Sequence, residues 1–152
     1  MNMKSREVNG PYGLFAESDI VVEFFDCDPM QVVWHGNYLN YFEISRRALL
    51  EKIGYSYSEM EESGYAFPII EIYAKYLEPL RHRDRARVKA VLTEYENRIN
   101  IKYEIHNSQT GHLTTKGTSS QMTYNISTGS SCFVCPKVLT DKVEALVGAK
   151  RE

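Results

Sequence analysis

Two acids, a histidine and an asparagine crowd together near the start of this chain. Residues 24–38 read Phe24-Phe25-Asp26-Cys27-Asp28-Pro29-Met30-Gln31-Val32-Val33-Trp34-His35-Gly36-Asn37-Tyr38. A carboxylate can take a proton from water or attack a carbonyl carbon. A helix start presents N–H groups without intrahelical partners and the positive end of the helix dipole, and so holds an oxyanion. The stretch needs a strand to deliver the acids and a helix to begin near His35 and Asn37.

The flanking patterns supply both. Asp19 to Phe25 is apolar and β-branched and predicts a strand. Asn37 is a suitable N-cap. From Tyr38 to Ile53, Tyr38, Tyr41, Phe42, Leu49 and Ile53 fall at helical spacing, with Leu39, Ile44 and Leu50 on other sides. That predicts a long, widely buried helix, ended by Gly54 as a left-handed cap. Ser56 to Glu59 has capping-box spacing and predicts a short helix to Gly64. From Ala66 the period becomes two. Ile70, Ile72, Ala74 and Tyr76 share one side of a strand that ends at Glu78-Pro79. Arg85–Tyr95 and Ile99–His106 alternate as half-buried antiparallel strands. A turn at 107–111 leads to a Thr-rich strand over 112–126, then a short strand at 131–134 and a final helix over 138–147. Residues 1–17 show no period and are expected to be a loose arm to a single domain spanning 1–152.

With these residues in hand, a resemblance can be stated. The run D-C-D-P-x-x-V-V-W-H-G-N-Y, followed by a helix carrying Phe42-Glu43, resembles the hot-dog-fold acyl-CoA thioesterases. It looks most like the branch of the 4-hydroxybenzoyl-CoA and Tol-Pal-associated enzymes. The order of elements over residues 18–140 follows the same family more loosely. One departure is Gln31, where many members carry Gly. The resemblance implies an α+β hot-dog fold, a curved antiparallel sheet wrapped around the long helix. It also implies a homodimer or homotetramer with sites at the interface. The expected reaction is hydrolysis of an acyl-CoA thioester, with no metal or redox cofactor and with coenzyme A only as part of substrate and product.

Alone, Asp28 before Pro29 reads as turn chemistry. In register with His35 and Tyr38, it matches the family's catalytic carboxylate, as base or nucleophile. Asp26 is one residue away and points to the opposite side of an extended chain, so it is expected to be structural. The family pattern gives His35 a catalytic or positioning role, through its ring or its backbone N–H. Trp34, Gly36, Asn37 and Tyr38 are expected to line the substrate site. Glu43 sits on a displaced face of the helix and is expected to serve the helix surface or a subunit contact. Arg81 and Arg83, in the most basic stretch, and Arg98 are candidates for the phosphates of coenzyme A, which arginine grips with two parallel hydrogen bonds. The competing reading of 81–87 is a solvated turn and the outer face of a strand.

The bulk numbers bound these expectations. The chain has 152 residues, 43% hydrophobic and 25% charged, with a formal net charge of −2. That suits one soluble domain with no drive toward nucleic acid or anionic membrane. No apolar run is long enough for a membrane span, and the N-terminus lacks a signal-peptide core, so a cytoplasmic location is the default. Cys27, Cys132 and Cys135 form no disulfide framework; Cys132-Phe133-Val134-Cys135 lacks the second pair of a zinc site and reads as a strand with small apolar sulfurs. His82, His106 and His112 show no partner pattern. Two rivals to acyl-CoA hydrolysis remain: the same reaction on an acyl carrier protein, and a non-catalytic module that binds acyl groups or proteins.

Overall fold

The structure, a computed structural model, describes residues 9–151. The expected arm falls largely before them or at their start, but its last residues do not behave as an arm. Strand β1 is Phe15–Val21, and Leu14 just ahead of it is 1% exposed. The first strand thus begins and ends four residues earlier than the apolar pattern predicts. β1 pairs along β4 (Arg85–Glu94) from Phe15↔Val91 to Val21↔Arg85, and there its partner runs out. Phe24–Asp26 instead forms a 3-10 turn, in which the Asp26 carboxylate accepts from the Glu23 N–H at 3.0 Å. Phe24 and Phe25 are 77% and 80% exposed, so their strand propensity has no sheet to satisfy it.

A second 3-10 turn, His35–Asn37, runs directly into helix α1, Tyr38–Ile53, with Gly54 at φ 87° as its cap. The helix has the predicted span, and Tyr38, Tyr41, Phe42, Leu49, Leu50 and Ile53 turn into the core. Phe42 is fully buried and stacks on Tyr103 with ring centroids 4.5 Å apart. Ser56 caps α2, Tyr57–Ser63, by accepting from the Glu59 N–H. After β2 (Tyr65–Ala66) come β3 (Ile69–Tyr76), β4, β5 (Ile99–Asn107) and β6 (Leu113–Gln121). The main sheet is wholly antiparallel, in the order β1-β4-β5-β6-β3, with α1 packed against it. This is the hot-dog architecture.

The Thr-rich strand is not continuous. β6 stops at Gln121, where its partners Ile69 and Ile99 begin, and Met122 bonds to the Pro68 carbonyl. β7 (Thr123–Asn125) then joins a small sheet with β2 and β8 (Ser130–Cys132). The short strand therefore ends before Phe133 and Val134, which are 89% and 60% exposed. Cys132 closes β8, while Cys135 lies beyond it in the core, covered with Leu139 and Val143 of α3 (Lys137–Arg151). β3 lacks the half-burial of β4 and β5. As an edge strand it leaves Ile69, Ile70, Ile72, Tyr73 and Tyr76 substantially exposed.

Close approach of helix and sheet depends on Gly117 of β6. A Cβ there would lie 2.5 Å from the Phe42 ring and 2.8 Å from the Tyr73 carbonyl oxygen. Neither neighbour can retreat easily, since one is core and the other backbone. Gly117→Ala is expected to cost about 1–3 kcal/mol, the usual penalty for overpacking. Urea unfolding with an unchanged slope checks this; a wild-type midpoint would contradict it.

Candidate active site

The two acids of the motif end up in different environments. The Asp26 carboxylate accepts from the Tyr41 hydroxyl at 2.9 Å as well as from the Glu23 N–H. Its carbonyl accepts from the Trp34 N–H at 2.9 Å and from the Asn37 side-chain amide at 2.8 Å. Burial, followed by the hydrogen bond to Asp26 and its charge, pushes the Tyr41 hydroxyl far above its usual range, so it remains a donor. Asp26 is thereby committed to joining the end of the first strand to the start of α1. Asn37 stands at the N-cap position but makes no capping bond, because its amide is drawn to Asp26 and its oxygen accepts from Asn40. The expected cap is a cross-loop tie instead.

Asp28 closes a tight turn. Its Oδ1 accepts from the Met30 N–H at 2.8 Å, its carbonyl from Gln31, and its N–H donates to Val32. The local turn role and a place in the cleft therefore coexist, since one carboxylate oxygen anchors the loop and Oδ2 has no hydrogen-bond partner within the described residues. Asp28, His35 and Tyr38 line one cleft of about 320 Å³. Met30, Val32, Val33, Leu77 and Pro79 give it apolar walls, and Tyr76 and Glu78 complete it. His35 and Gly36 open the 3-10 turn, so their N–H groups have no carbonyl one turn back.

The remaining expected site residues divide. Tyr38 is 3% exposed; its ring borders the cleft while its hydroxyl accepts from the Leu80 N–H, and burial raises its pKa. Trp34 is 48% exposed and tilts against His35, with ring centroids 5.0 Å apart. Its indole occupies the space a side chain at Gly36 would need, with ring carbons 2.2–2.8 Å from an ideal Cβ. Arg81 is exposed and its backbone bridges to Val32, placing it at the border of the cleft. Arg83 sits at φ 75° in the same turn. Arg98 is not brought to this cleft. It lines a separate depression of about 500 Å³ with Glu71, Tyr73, Asn100, Ser119 and Ser120. Glu43 is paired with Arg46 and accepts from Tyr57, which occupies its carboxylate.

Sequence patterns miss Tyr76 and Glu78. Tyr76 donates to the His35 carbonyl at 2.7 Å, and Glu78 lies 3.2 Å from His112, giving that histidine a partner. Tyr76 ends β3 and Glu78 follows it, and only the folded chain sets them beside the motif. Among the described residues, no group of three or more His, Cys, Asp or Glu is placed to hold a metal ion. Nor is any helix long and apolar enough to cross a membrane.

Residues 22–145 match a family model described as the thioesterase-like superfamily. The chain belongs to this superfamily. "Putative acyl-CoA thioesterase YneP" of Bacillus subtilis (strain 168) is 33% identical over 108 residues, which span 70% of this chain and 78% of that protein. The DHNA-CoA thioesterase of Staphylococcus aureus superposes with a TM-score of 0.79 at 27% identity, over 90% of this chain and 91% of that one. The chloroplastic acyl-acyl carrier protein thioesterase ATL3 of Arabidopsis thaliana is 38% identical over 76 residues, half of this chain and 40% of that protein. In this superfamily member Gln31, in the loop after Asp28, has φ 66°, the left-handed conformation that glycine adopts most easily. The loop thus keeps a glycine-like backbone without the glycine.

That conformation costs an ordinary residue about 1–2 kcal/mol. Gln31 is exposed, so few contacts confuse the test. Gln31→Gly is expected to hold or raise stability, whereas Gln31→Val should lower it by about 1–2 kcal/mol. Thermal or urea unfolding of the two variants checks this; equal midpoints would mean the loop is not held in this conformation in solution.

Proposed function

We propose that this chain hydrolyses acyl-CoA thioesters to a free acid and coenzyme A. One observation carries the reading: a carboxylate with one unpartnered oxygen and His35, the first residue of the turn that opens the helix, share a single apolar-walled cleft. As a base, Asp28 takes a proton from water while the water oxygen bonds to the thioester carbon. The C–S bond then breaks and the sulfur receives that proton. As a nucleophile, Asp28 attacks the same carbon, expels the thiolate, and the resulting anhydride is opened by water. Both routes put negative charge on the carbonyl oxygen, so both call on the N–H groups at His35 and Gly36. Such a donor contributes roughly a hundred- to a thousandfold in rate. Coenzyme A enters only with the substrate, and the chemistry asks for no metal or redox group.

On its motif we assign the chain to the 4-hydroxybenzoyl-CoA and Tol-Pal-associated branch, with a cytoplasmic setting. Arg81 and Arg83 are offered to the phosphates from the border of the cleft. Arg98 reaches the same ligand only if a second copy is placed against β3. The likeness to ATL3 favours a second reading, the same hydrolysis with an acyl carrier protein as the thioester's carrier.

Asp28→Asn keeps the size of the side chain but removes the base and nucleophile. It is expected to lower kcat and kcat/KM together by at least a hundredfold, roughly the scale of lost acid–base catalysis, while acyl-CoA still binds. Asp26→Asn should lose activity only as its melting temperature falls, and His35→Ala should lie between, because the backbone N–H survives. Replacing Arg81, Arg83 and Arg98 together by Ala should raise KM for acyl-CoA and spare kcat. Steady-state assays over short, long, branched and aromatic acyl-CoAs, with melting temperatures, read all of this. Full activity in Asp28→Asn would end the proposal. Wild type that binds but hydrolyses none of the panel would favour a non-catalytic module, and hydrolysis confined to carrier-protein thioesters would favour the second reading.

β3 also bears on assembly. An unpaired edge strand with apolar side chains invites another strand. The protein is expected to be a homodimer or homotetramer, with β3 covered by a second copy. Light scattering at micromolar concentration should give two or four times the 17.5 kDa chain; a monomer would overturn the assembly.

A further inference from the structure

The contact between Tyr76 and His35 joins two parts of the molecule that sequence separates widely. Tyr76 is the last residue of β3, and His35 is the first of the turn that opens α1. The phenol donates to the His35 carbonyl oxygen at 2.7 Å. Its ring meets Tyr38 edge-on, with centroids 5.0 Å apart, so the phenol is braced from the helix side as well. Burial raises the pKa of the Tyr76 hydroxyl, which keeps it protonated as a donor.

The His35 carbonyl belongs to the same planar unit as the Gly36 N–H. No peptide bond among the described residues is cis, so in this unit the two groups point in opposite directions. A donor that holds the oxygen therefore aims the N–H. It also polarises the peptide, which makes that N–H a stronger donor in turn. Gly36 has no side chain to shield its amide, and the Trp34 indole occupies the neighbouring space.

We infer that Tyr76 is a positioning residue for the oxyanion-holding turn, acting through the His35–Gly36 peptide. The inference rests on the proposed thioester hydrolysis for its catalytic consequence, but the positioning itself is a property of the free protein. Tyr76 need not touch the reacting carbon. Its hydroxyl sets the direction of a donor whose value depends on meeting the oxygen as charge develops.

Tyr76→Phe removes the hydroxyl and keeps the ring. Two measurements test it, with Tyr124→Phe on β7 as a control remote from the cleft. In the ligand-free protein, the Gly36 amide resonance should move in Tyr76→Phe but not in Tyr124→Phe. In steady state, kcat should fall about tenfold, less than the loss of a whole donor, with KM within about twofold of wild type. A Gly36 amide that stays in place overturns the positioning, even if activity and melting temperature decline together. An amide that moves while kcat holds overturns the link to catalysis. An amide that moves in a protein whose wild type hydrolyses no acyl-CoA upholds the positioning and sinks the hydrolysis instead.

Discussion

The arrangement depends first on Asp26. One residue accepts four hydrogen bonds, two at its carboxylate and two at its carbonyl, from Glu23, Tyr41, Trp34 and Asn37. These partners lie before the loop, after it and inside the helix. A bond to a charged acceptor is worth about 1.5–3 kcal/mol, and losing Asp26 would strand the hydroxyl of Tyr41, which is 4% exposed. The result is a closed loop whose two ends are fixed relative to each other. Asp28 lies inside that loop and His35 at its exit, so their separation is set by the hydrogen bonds that Asp26 accepts.

This explains why two similar acids, one residue apart, have opposite fates. Asp26 gives one carboxylate oxygen, Oδ2, to two donors and its carbonyl to two more, all of them tying the loop to the helix, whereas Asp28 gives one oxygen to the Met30 N–H of its own turn and lines the cleft. A chemical carboxylate must be held, yet must retain an unpartnered oxygen. A single anchoring bond from the turn that contains it meets both needs. Gln31 follows from the same tightness: the turn that anchors Asp28 leaves this residue in the left-handed region whatever its side chain.

Elements with one buried face were legible in the sequence. α1 has the predicted span because Tyr38, Phe42, Leu49 and Ile53 are all buried in the core, and β4 and β5 alternate for the same reason. Periodicity failed where pairing, not burial, decides. Phe24 and Phe25 have strand character but no partner strand, and the run through Met122 breaks where its neighbours in the sheet change. In the site, Asp28, His35 and Tyr38 were legible because local chain geometry brings them together. Tyr76 and Glu78 were not, because their place depends on where β3 ends relative to the motif. The Arg98 expectation shows the converse: within one chain, an arginine expected at the phosphates of coenzyme A lies in another depression from Asp28.

β3 is the element on which these strands of reasoning meet. Its exposed Ile70, Ile72 and Tyr73 would be a liability at the edge of a monomer's sheet. Yet the same strand ends in Tyr76, which holds the carbonyl of the turn at the cleft. An unpaired edge strand is among the parts of a sheet most free to open locally, because half its backbone groups bond only to water. Pairing with a second copy would remove that freedom and steady Tyr76 with it. Cover for the apolar edge and a fixed phenol at the cleft then have one physical cause, and a chain that kept its β3 edge bare would hold the His35–Gly36 turn less firmly even with every side chain of the motif intact.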